Sequence, residues 1–141
     1  MEKTIKKERF YAHSINKVWN AISDQEAISI WFIKADFKAE PGYEYTFTRD
    51  ATTISGKVIE ATPVHTLIYT WTVNGTETIT TVKWYLKEEN NGTLLTIEHT
   101  GIENYPEGMM QKMFDSFAGG WDSCIDELEK HLKKQYEKES I

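Results

Sequence analysis

The spacing of apolar residues along the chain changes between its parts. It is helical, at three or four residues, near the N-terminus, alternates every second residue through the middle, and is helical again after about residue 107. A spacing of three or four places one face of a helix against a core, and alternation does the same for a strand. The order predicts short helices, then a run of strands, then one long helix.

The N-terminal quarter is predicted to contain one strand and two short helices. Residues 4–12 are β-permissive and predict the strand. Ser14 is a favourable N-cap for a helix ending near residue 23, and Asp24 can cap a second helix over residues 25–32. Their apolar stripes are Ile15, Val18, Trp19 and Ile22 in the first helix, and Ala27, Ile28, Trp31 and Phe32 in the second.

An antiparallel meander is predicted after the turn at Pro41-Gly42. Asn74-Gly75 is the strongest hairpin signal of the chain, and residues 90–92 form the next turn. The predicted strands cover residues 43–48, 55–63, 66–73, 77–89 and 93–101. Alternation assigns these residues to the inward face: Tyr45, Phe47, Tyr69, Trp71, Trp84, Leu86, Ile97 and His99.

A long helix is predicted from about residue 107 to residue 137. Its apolar stripe is Met110, Met113 or Phe114, Phe117, Trp121, Cys124, Leu128 and Leu132. Gly119 and Gly120 interrupt this helix, although a helical glycine costs about 1 kcal/mol relative to alanine. Gly120 lies on the stripe and Gly119 does not. Close contact with the sheet and space for a ligand are equally good explanations of Gly120.

These elements predict an α+β fold in a single domain over residues 1–141, with a charged C-terminal tail from about residue 134. The first strand must join the sheet to satisfy its backbone groups. One long helix is available to cover the apolar face of the sheet. A curved antiparallel sheet wrapped around that helix, the helix-grip arrangement, satisfies both conditions.

Composition narrows the classes of partner. The net charge of −6 and pI near 5.2 argue against binding to nucleic acid or to an anionic membrane surface. The single cysteine, Cys124, fits a reducing compartment, and the sequence shows no signal peptide and no apolar run of membrane-spanning length. A cytoplasmic protein is the simplest interpretation.

Few residues are candidates for chemistry. His99 could bind a ligand or act as a base. The favoured interpretation is a histidine at the strand end whose hydrogen bonds are made to the backbone. His99→Ala is expected to change ligand preference more than stability. Glu60 could be an inward carboxylate of raised pKa, although a solvated strand end is more usual. Cys124 is interpreted as an inert thiol. The remaining histidines, His13, His65 and His131, are predicted to lie in loops or on the helix surface.

Five segments, in order, resemble the activator-of-Hsp90-ATPase-like branch of the START/Bet v 1 superfamily. They are VWNAISDQEAISIWF, EPGYEYTF, VIEATPVHTLIYTW, TLLTIEHTGI and GGWDSCIDELEKHL. The chain departs from that branch where Ala12 is followed by His13-Ser14 instead of a proline, and where the turn has Gly42 alone instead of two glycines. The resemblance implies a helix-grip fold with a hydrophobic cavity between sheet and C-terminal helix.

The leading functional hypothesis is binding of a hydrophobic small molecule, such as a lipid, polyketide or flavonoid-like aromatic, without a cofactor or a metal. The alternatives are an enzyme of cyclase or hydrolase type that uses the same cavity, and a chaperone regulator or stress-response protein. The predicted cavity residues are Trp31, Phe32, Tyr45, Phe47, Tyr69, Trp71, Trp84, Ile97, His99, Met113, Phe117, Gly120, Trp121 and Cys124.

Overall fold

A seven-stranded antiparallel sheet and three α-helices make up the computed structural model, which describes residues 3–139 and the side chains of residues 3–134. The elements in chain order are β1 (Ile5–Tyr11), α1 (Ile15–Ser23), α2 (Gln25–Trp31), β2 (Lys34–Asp36), β3 (Glu44–Arg49), β4 (Thr52–Thr62), β5 (Thr66–Val73), β6 (Thr80–Glu89), β7 (Gly92–Thr100), a 3₁₀ turn (Ile102–Asn104) and α3 (Glu107–Glu139).

The first strand forms one edge of the sheet, where pairing with β7 satisfies its backbone hydrogen bonds. The strand order is β1-β7-β6-β5-β4-β3-β2, and every neighbouring pair is antiparallel. β1 pairs with β7 through the register Ile5↔His99, while β2 to β7 follow one another as a meander. A register shift between Val58 and Glu60 interrupts the β4–β5 ladder.

The two short helices begin at the predicted caps. The side chain of Ser14 accepts a hydrogen bond from the Lys17 amide at 3.3 Å, and that of Asp24 accepts one from the Ala27 amide at 3.0 Å. The indole N–H of Trp31, at the end of α2, donates to the carbonyl of Ala21 in α1 at 2.8 Å. This bond links the two helices, and the Trp31 ring also contacts His131 of α3.

The long helix packs its apolar stripe against the sheet. Trp121, Cys124, Leu128 and Leu132 are buried, and the Trp121 ring lies 5.4 Å from that of Trp71 in β5 and 5.7 Å from that of Trp84 in β6. The opposite face is charged, and Lys133 and Glu129 form the expected i,i+4 ion pair at 3.4 Å. The predicted helix-grip fold is confirmed.

Three local features differ from the prediction. β2 was not predicted, because a three-residue strand has no usable periodicity. The short 3₁₀ turn before α3 was also not predicted. Asn74-Gly75 does not close a two-residue hairpin, since the last β5–β6 pair is Trp71↔Thr80. Asn74 instead holds the start of β4, where its amide donates to the Thr53 carbonyl at 2.8 Å and its side-chain oxygen accepts from the Thr53 amide at 3.1 Å.

The C-terminal end of α3 continues as a helix to Glu139. The predicted charged tail from about residue 134 falls mostly on side chains outside the described part of the chain. Among residues 3–139, none of the helices combines the length and the apolar character needed to cross a bilayer.

Candidate functional site

The centre of the interior is packed with side chains. Tyr45, Phe47 and Tyr69 form an aromatic cluster, with ring centroids 4.6 Å apart for Tyr45 and Phe47 and 5.0 Å apart for Tyr45 and Tyr69. The Tyr45 hydroxyl donates to the Thr70 carbonyl at 2.6 Å, and the Trp84 indole N–H donates to the Tyr69 hydroxyl at 2.9 Å. Burial raises the pKa of both tyrosines, so they stay protonated.

Six of the predicted cavity residues are buried in this packed interior and border neither of the two spaces described below. These are Tyr45, Phe47, Tyr69, Trp84, Ile97 and His99. Alternation along a strand shows which side chains point inward, but it does not distinguish a residue packed on all sides from one that borders a cavity.

His99 joins α3 to the sheet. The Trp121 indole N–H donates to His99 Nδ1 at 3.0 Å, and His99 Nε2 lies 2.7 Å from Thr80 Oγ1. An indole nitrogen can only donate, so Nδ1 must accept and the imidazole proton must be on Nε2. Nε2 then donates to Thr80, whose hydroxyl donates to the Trp71 carbonyl at 3.2 Å. The preferred interpretation of His99, a satisfied histidine, holds, but its partners are side chains and not backbone.

Burial also removes His99 from acid–base chemistry near neutral pH. Its side chain is 0% exposed, and desolvation lowers its pKa to about 3. Protonation at Nδ1 would place a second N–H against that of Trp121. His99 is thus a structural residue, and a role as a general base would require breaking its bond to α3.

A groove of about 420 Å³ lies at one end of the interior. It is formed between the C-terminal end of α2, the β3–β4 hairpin, the end of β5 and the first half of α3. The residues that line it are Phe32, Ile33, Arg49, Thr52, Ile54, Trp71, Val73, Met113, Ser116, Phe117, Gly120 and Trp121. Apolar and aromatic side chains dominate this lining, as in most small-molecule sites.

A smaller pocket of about 100 Å³ continues the groove along α3. The two spaces share Phe32, Arg49 and Gly120, and the pocket adds Trp31, Ser123, Cys124 and Glu127. Eight predicted cavity residues therefore border the combined space. They are Trp31, Phe32, Trp71, Met113, Phe117, Gly120, Trp121 and Cys124. That they bind a ligand remains a prediction.

Gly120 faces the groove and not packed sheet. A Cβ atom built at this position would meet no atom within 4 Å, so close helix–sheet contact does not explain the glycine. Gly119 also has open space around its missing Cβ, but it borders neither the groove nor the smaller pocket. Of the two explanations given for Gly120, space in a cavity is the one that the geometry supports.

Two residues that line the groove carry donors with unused hydrogen-bonding capacity. Trp71 is 5% exposed, and its indole N–H has no hydrogen-bond partner among the described residues. Arg49 lies at the mouth, where Nη2 donates to the Phe32 carbonyl at 2.6 Å. A buried N–H without a partner is rare in folded proteins and requires an explanation.

The other candidates for acid–base or nucleophilic chemistry are poorly placed. Glu60 is exposed and accepts a hydrogen bond from the Thr62 hydroxyl at 3.2 Å, so it is not an inward carboxylate. The register shift beside Glu60 disrupts the alternation on which that possibility depended. Cys124 is buried, and desolvation raises its pKa, so its thiol stays protonated.

The prediction for His131 was wrong. Its side chain is 6% exposed and stacks on Trp31 with ring centroids 6.4 Å apart. Burial, followed by the charges of Lys134 and Lys17, lowers its pKa. The helical stripe passes through Leu128 and Leu132, and His131 packs beside it because α2 also contacts this part of α3.

Half of the residues that line the groove were not among the predicted cavity residues. The missed residues are Ile33, Arg49, Thr52, Ile54, Val73 and Ser116. A signal existed for Arg49, which continues the inward alternation of Tyr45 and Phe47 to the last residue of β3. Val73 likewise continues the alternation of Tyr69 and Trp71 in β5.

A second depression, of about 560 Å³, lies at the connecting loops. It is lined by residues 75–79 after β5 and by Asn104, Tyr105, Pro106 and Met109 before and within the start of α3. None of the fourteen predicted cavity residues borders it. The groove is the stronger candidate because it opens into the sheet–helix interface and has an aromatic lining.

Comparison with known proteins identifies the family. The family described as "Activator of Hsp90 ATPase homolog 1-like protein" matches residues 12–133. None of the curated proteins compared with the chain matches it.

Three solved structures illustrate the shared fold. Protein MLL2253 from Mesorhizobium loti is 25% identical, with a TM-score of 0.86 over 94% of this chain and 98% of its own. Protein BH1534 from Bacillus halodurans is 28% identical, with a TM-score of 0.78 over 92% and 96%. CalU16 from Micromonospora echinospora is 25% identical, with a TM-score of 0.76 over 97% and 80%.

Proposed function

This chain belongs to the activator of Hsp90 ATPase homolog 1-like family, and we propose that it binds a hydrophobic small molecule in the groove between β3–β5 and α3. The observation that carries the proposal is Trp71, which lines the groove and whose buried indole N–H has no hydrogen-bond partner among the described residues. An acceptor atom on a bound molecule would satisfy it once the indole turns towards the groove. The ligand class is therefore an apolar, aromatic or lipid-like molecule with at least one hydrogen-bond acceptor.

The dimensions of the groove support this ligand class. A volume of about 420 Å³ falls in the range of roughly 300–1,000 Å³ that is usual for small-molecule sites. The partly exposed rings of Phe32 and Phe117 offer flat apolar surfaces to an aromatic ligand, and the nearly buried indoles of Trp71 and Trp121 complete the lining. The smaller pocket beyond Gly120 adds room for a substituent.

Binding without turnover is favoured over catalysis. His99 is buried behind the groove lining in a hydrogen-bonded chain, Glu60 is on the exterior, and the Cys124 thiol is protonated. A cytoplasmic location is part of the proposal, because the single thiol fits a reducing compartment.

A neutral fluorescent probe tests the proposal. N-phenyl-1-naphthylamine should bind the wild-type protein with enhanced emission and raise its melting temperature, because a ligand that binds only the folded state stabilises it. Gly120→Leu should fill the groove and weaken this binding about tenfold, equivalent to about 1.4 kcal/mol.

The matched control is Gly119→Leu, one residue away on the same helix. Both substitutions meet open space, and both should stabilise α3 by up to about 0.8 kcal/mol through helix propensity. Only Gly120→Leu should affect the probe. Equal affinity in the two variants would place the probe outside the groove, and no binding to the wild-type protein would refute the proposal.

A further inference from the structure

Arg49 contributes the positive charge of the groove. Of the twelve described residues that line the groove, it is the only charged one, and it also borders the smaller pocket. The protein as a whole carries a net charge of −6. A lone guanidinium at the mouth of an apolar groove therefore differs from both the lining around it and the average surface.

The backbone and one hydrogen bond hold this guanidinium in place. Arg49 is the last residue of β3 and pairs with Thr52 across the β3–β4 hairpin. Its Nη2 donates to the carbonyl of Phe32, which follows α2, at 2.6 Å. A guanidinium has five N–H donors, and this contact uses one of them. The side chain is exposed, and no carboxylate partner for it is found among the described residues.

We propose that the ligand is an organic anion, whose apolar body lies in the groove and whose acidic oxygens bind Arg49. This inference rests on the proposed function and narrows its ligand class. Arginine binds carboxylate and related oxyanions through charge-assisted hydrogen bonds that are stronger than neutral ones. The body of the same ligand would lie against Phe32, which both lines the groove and supplies the carbonyl that orients Arg49.

The distribution of charge around Arg49 favours one orientation of the bound ligand. Asp50 follows it in the chain, and Glu127 borders the smaller pocket, where it pairs with Lys130 at 3.3 Å. Arg49 is the only charged residue in the described groove lining, so an anion bound elsewhere in the groove would meet uncharged, mostly apolar side chains. The acidic group should therefore lie at the mouth, with the apolar part directed towards Trp71.

Two probes with the same body test this inference. N-phenyl-1-naphthylamine is neutral, and 8-anilinonaphthalene-1-sulfonate is the same molecule with a sulfonate added. Both are titrated by fluorescence against the wild-type protein, Arg49→Gln, Arg49→Lys and Lys87→Gln. Lys87 is exposed at the far end of β6, so its replacement makes the same change in net charge away from the groove.

The sulfonate probe should bind the wild-type protein more tightly than the neutral probe. Arg49→Gln should raise its dissociation constant about tenfold, and Arg49→Lys should recover part of that loss. The neutral probe should change less than about twofold in every variant, and Lys87→Gln should leave both probes unaffected.

Three results would overturn the inference. Equal weakening of both probes in Arg49→Gln would mean that Arg49 acts only by holding the Phe32 carbonyl. Unchanged binding of both probes in Arg49→Gln would mean that the groove binds without regard to charge, which leaves the proposed function standing. Failure of both probes to bind the wild-type protein would remove the proposed function and this inference together.

Discussion

Replacing His99 by alanine removes the side chain that connects the indole of Trp121 on α3 to Thr80 in the sheet. The Trp121 N–H would lose its acceptor, while the Thr80 hydroxyl would keep the Trp71 carbonyl. A buried donor left without a partner costs about 1–3 kcal/mol. The lost ring also leaves a void beside Phe117, whose centroid lies 4.6 Å from that of His99. Together these effects predict a loss of about 3–5 kcal/mol.

Urea denaturation of matched variants measures this loss. His65→Ala is the control, because His65 is exposed and its replacement should change the free energy of unfolding by no more than about 0.5 kcal/mol. Trp121→Phe removes the indole donor, so in that background His99→Ala should cost about 1–3 kcal/mol less. A free energy of unfolding for His99→Ala within about 0.5 kcal/mol of wild type would refute the structural role of the imidazole. It would restore the earlier expectation that this residue affects ligand preference more than stability.

Two further predictions concern acid and the docking of α3. His99 has a pKa of about 3 in the folded protein against 6.5 ordinarily. The neutral imidazole therefore contributes its full stabilisation of the folded state above pH 6.5, and this contribution is lost as the pH falls towards 3. The free energy of unfolding should drop by up to about 1.4 kcal/mol per pH unit from this group, and a His99→Leu variant with an unchanged slope between pH 6.5 and 5 would contradict the assignment. Tyr11→Phe removes the hydrogen bond from the Tyr11 hydroxyl to the Ile125 carbonyl at 2.8 Å. It should lower the free energy of unfolding by about 1 kcal/mol in urea denaturation. An unchanged free energy of unfolding would mean that this bond adds nothing to the packing of α3 on β1.

The sequence predicts the fold well because each element has a local signal. The caps at Ser14 and Asp24, the alternation through Tyr69 and Trp71, and the helical stripe around Trp121 depend on neighbouring residues alone. These signals specify which side chains point inward. β2 lacks such a signal, since it is only three residues long and pairs with β3 as the edge of the sheet.

The candidate site is less predictable because it depends on how inward side chains fill space. Tyr45 and Trp71 share the inward face, yet one is surrounded by rings and the other borders the groove. His99 finds its acceptor and donor on β6 and α3, at sequence separations of 19 and 22 residues. No local pattern specifies such partners, and the role of Arg49 likewise depends on the carbonyl of Phe32 from another element.

Binding in the groove is tested most directly by the indole N–H signals of the tryptophans in an NMR titration with 8-anilinonaphthalene-1-sulfonate. Trp71 lines the groove, and its indole N–H has no partner among the described residues, so its signal should shift strongly, with assignment from Trp71→Phe. The Trp84 signal should not move, because its N–H is bonded to Tyr69 in the filled core, and Trp84→Phe assigns it. Saturable shifts of Trp71 with Trp84 unchanged are the predicted result. An unshifted Trp71, or equal shifts at both positions, would contradict a ligand site in this groove.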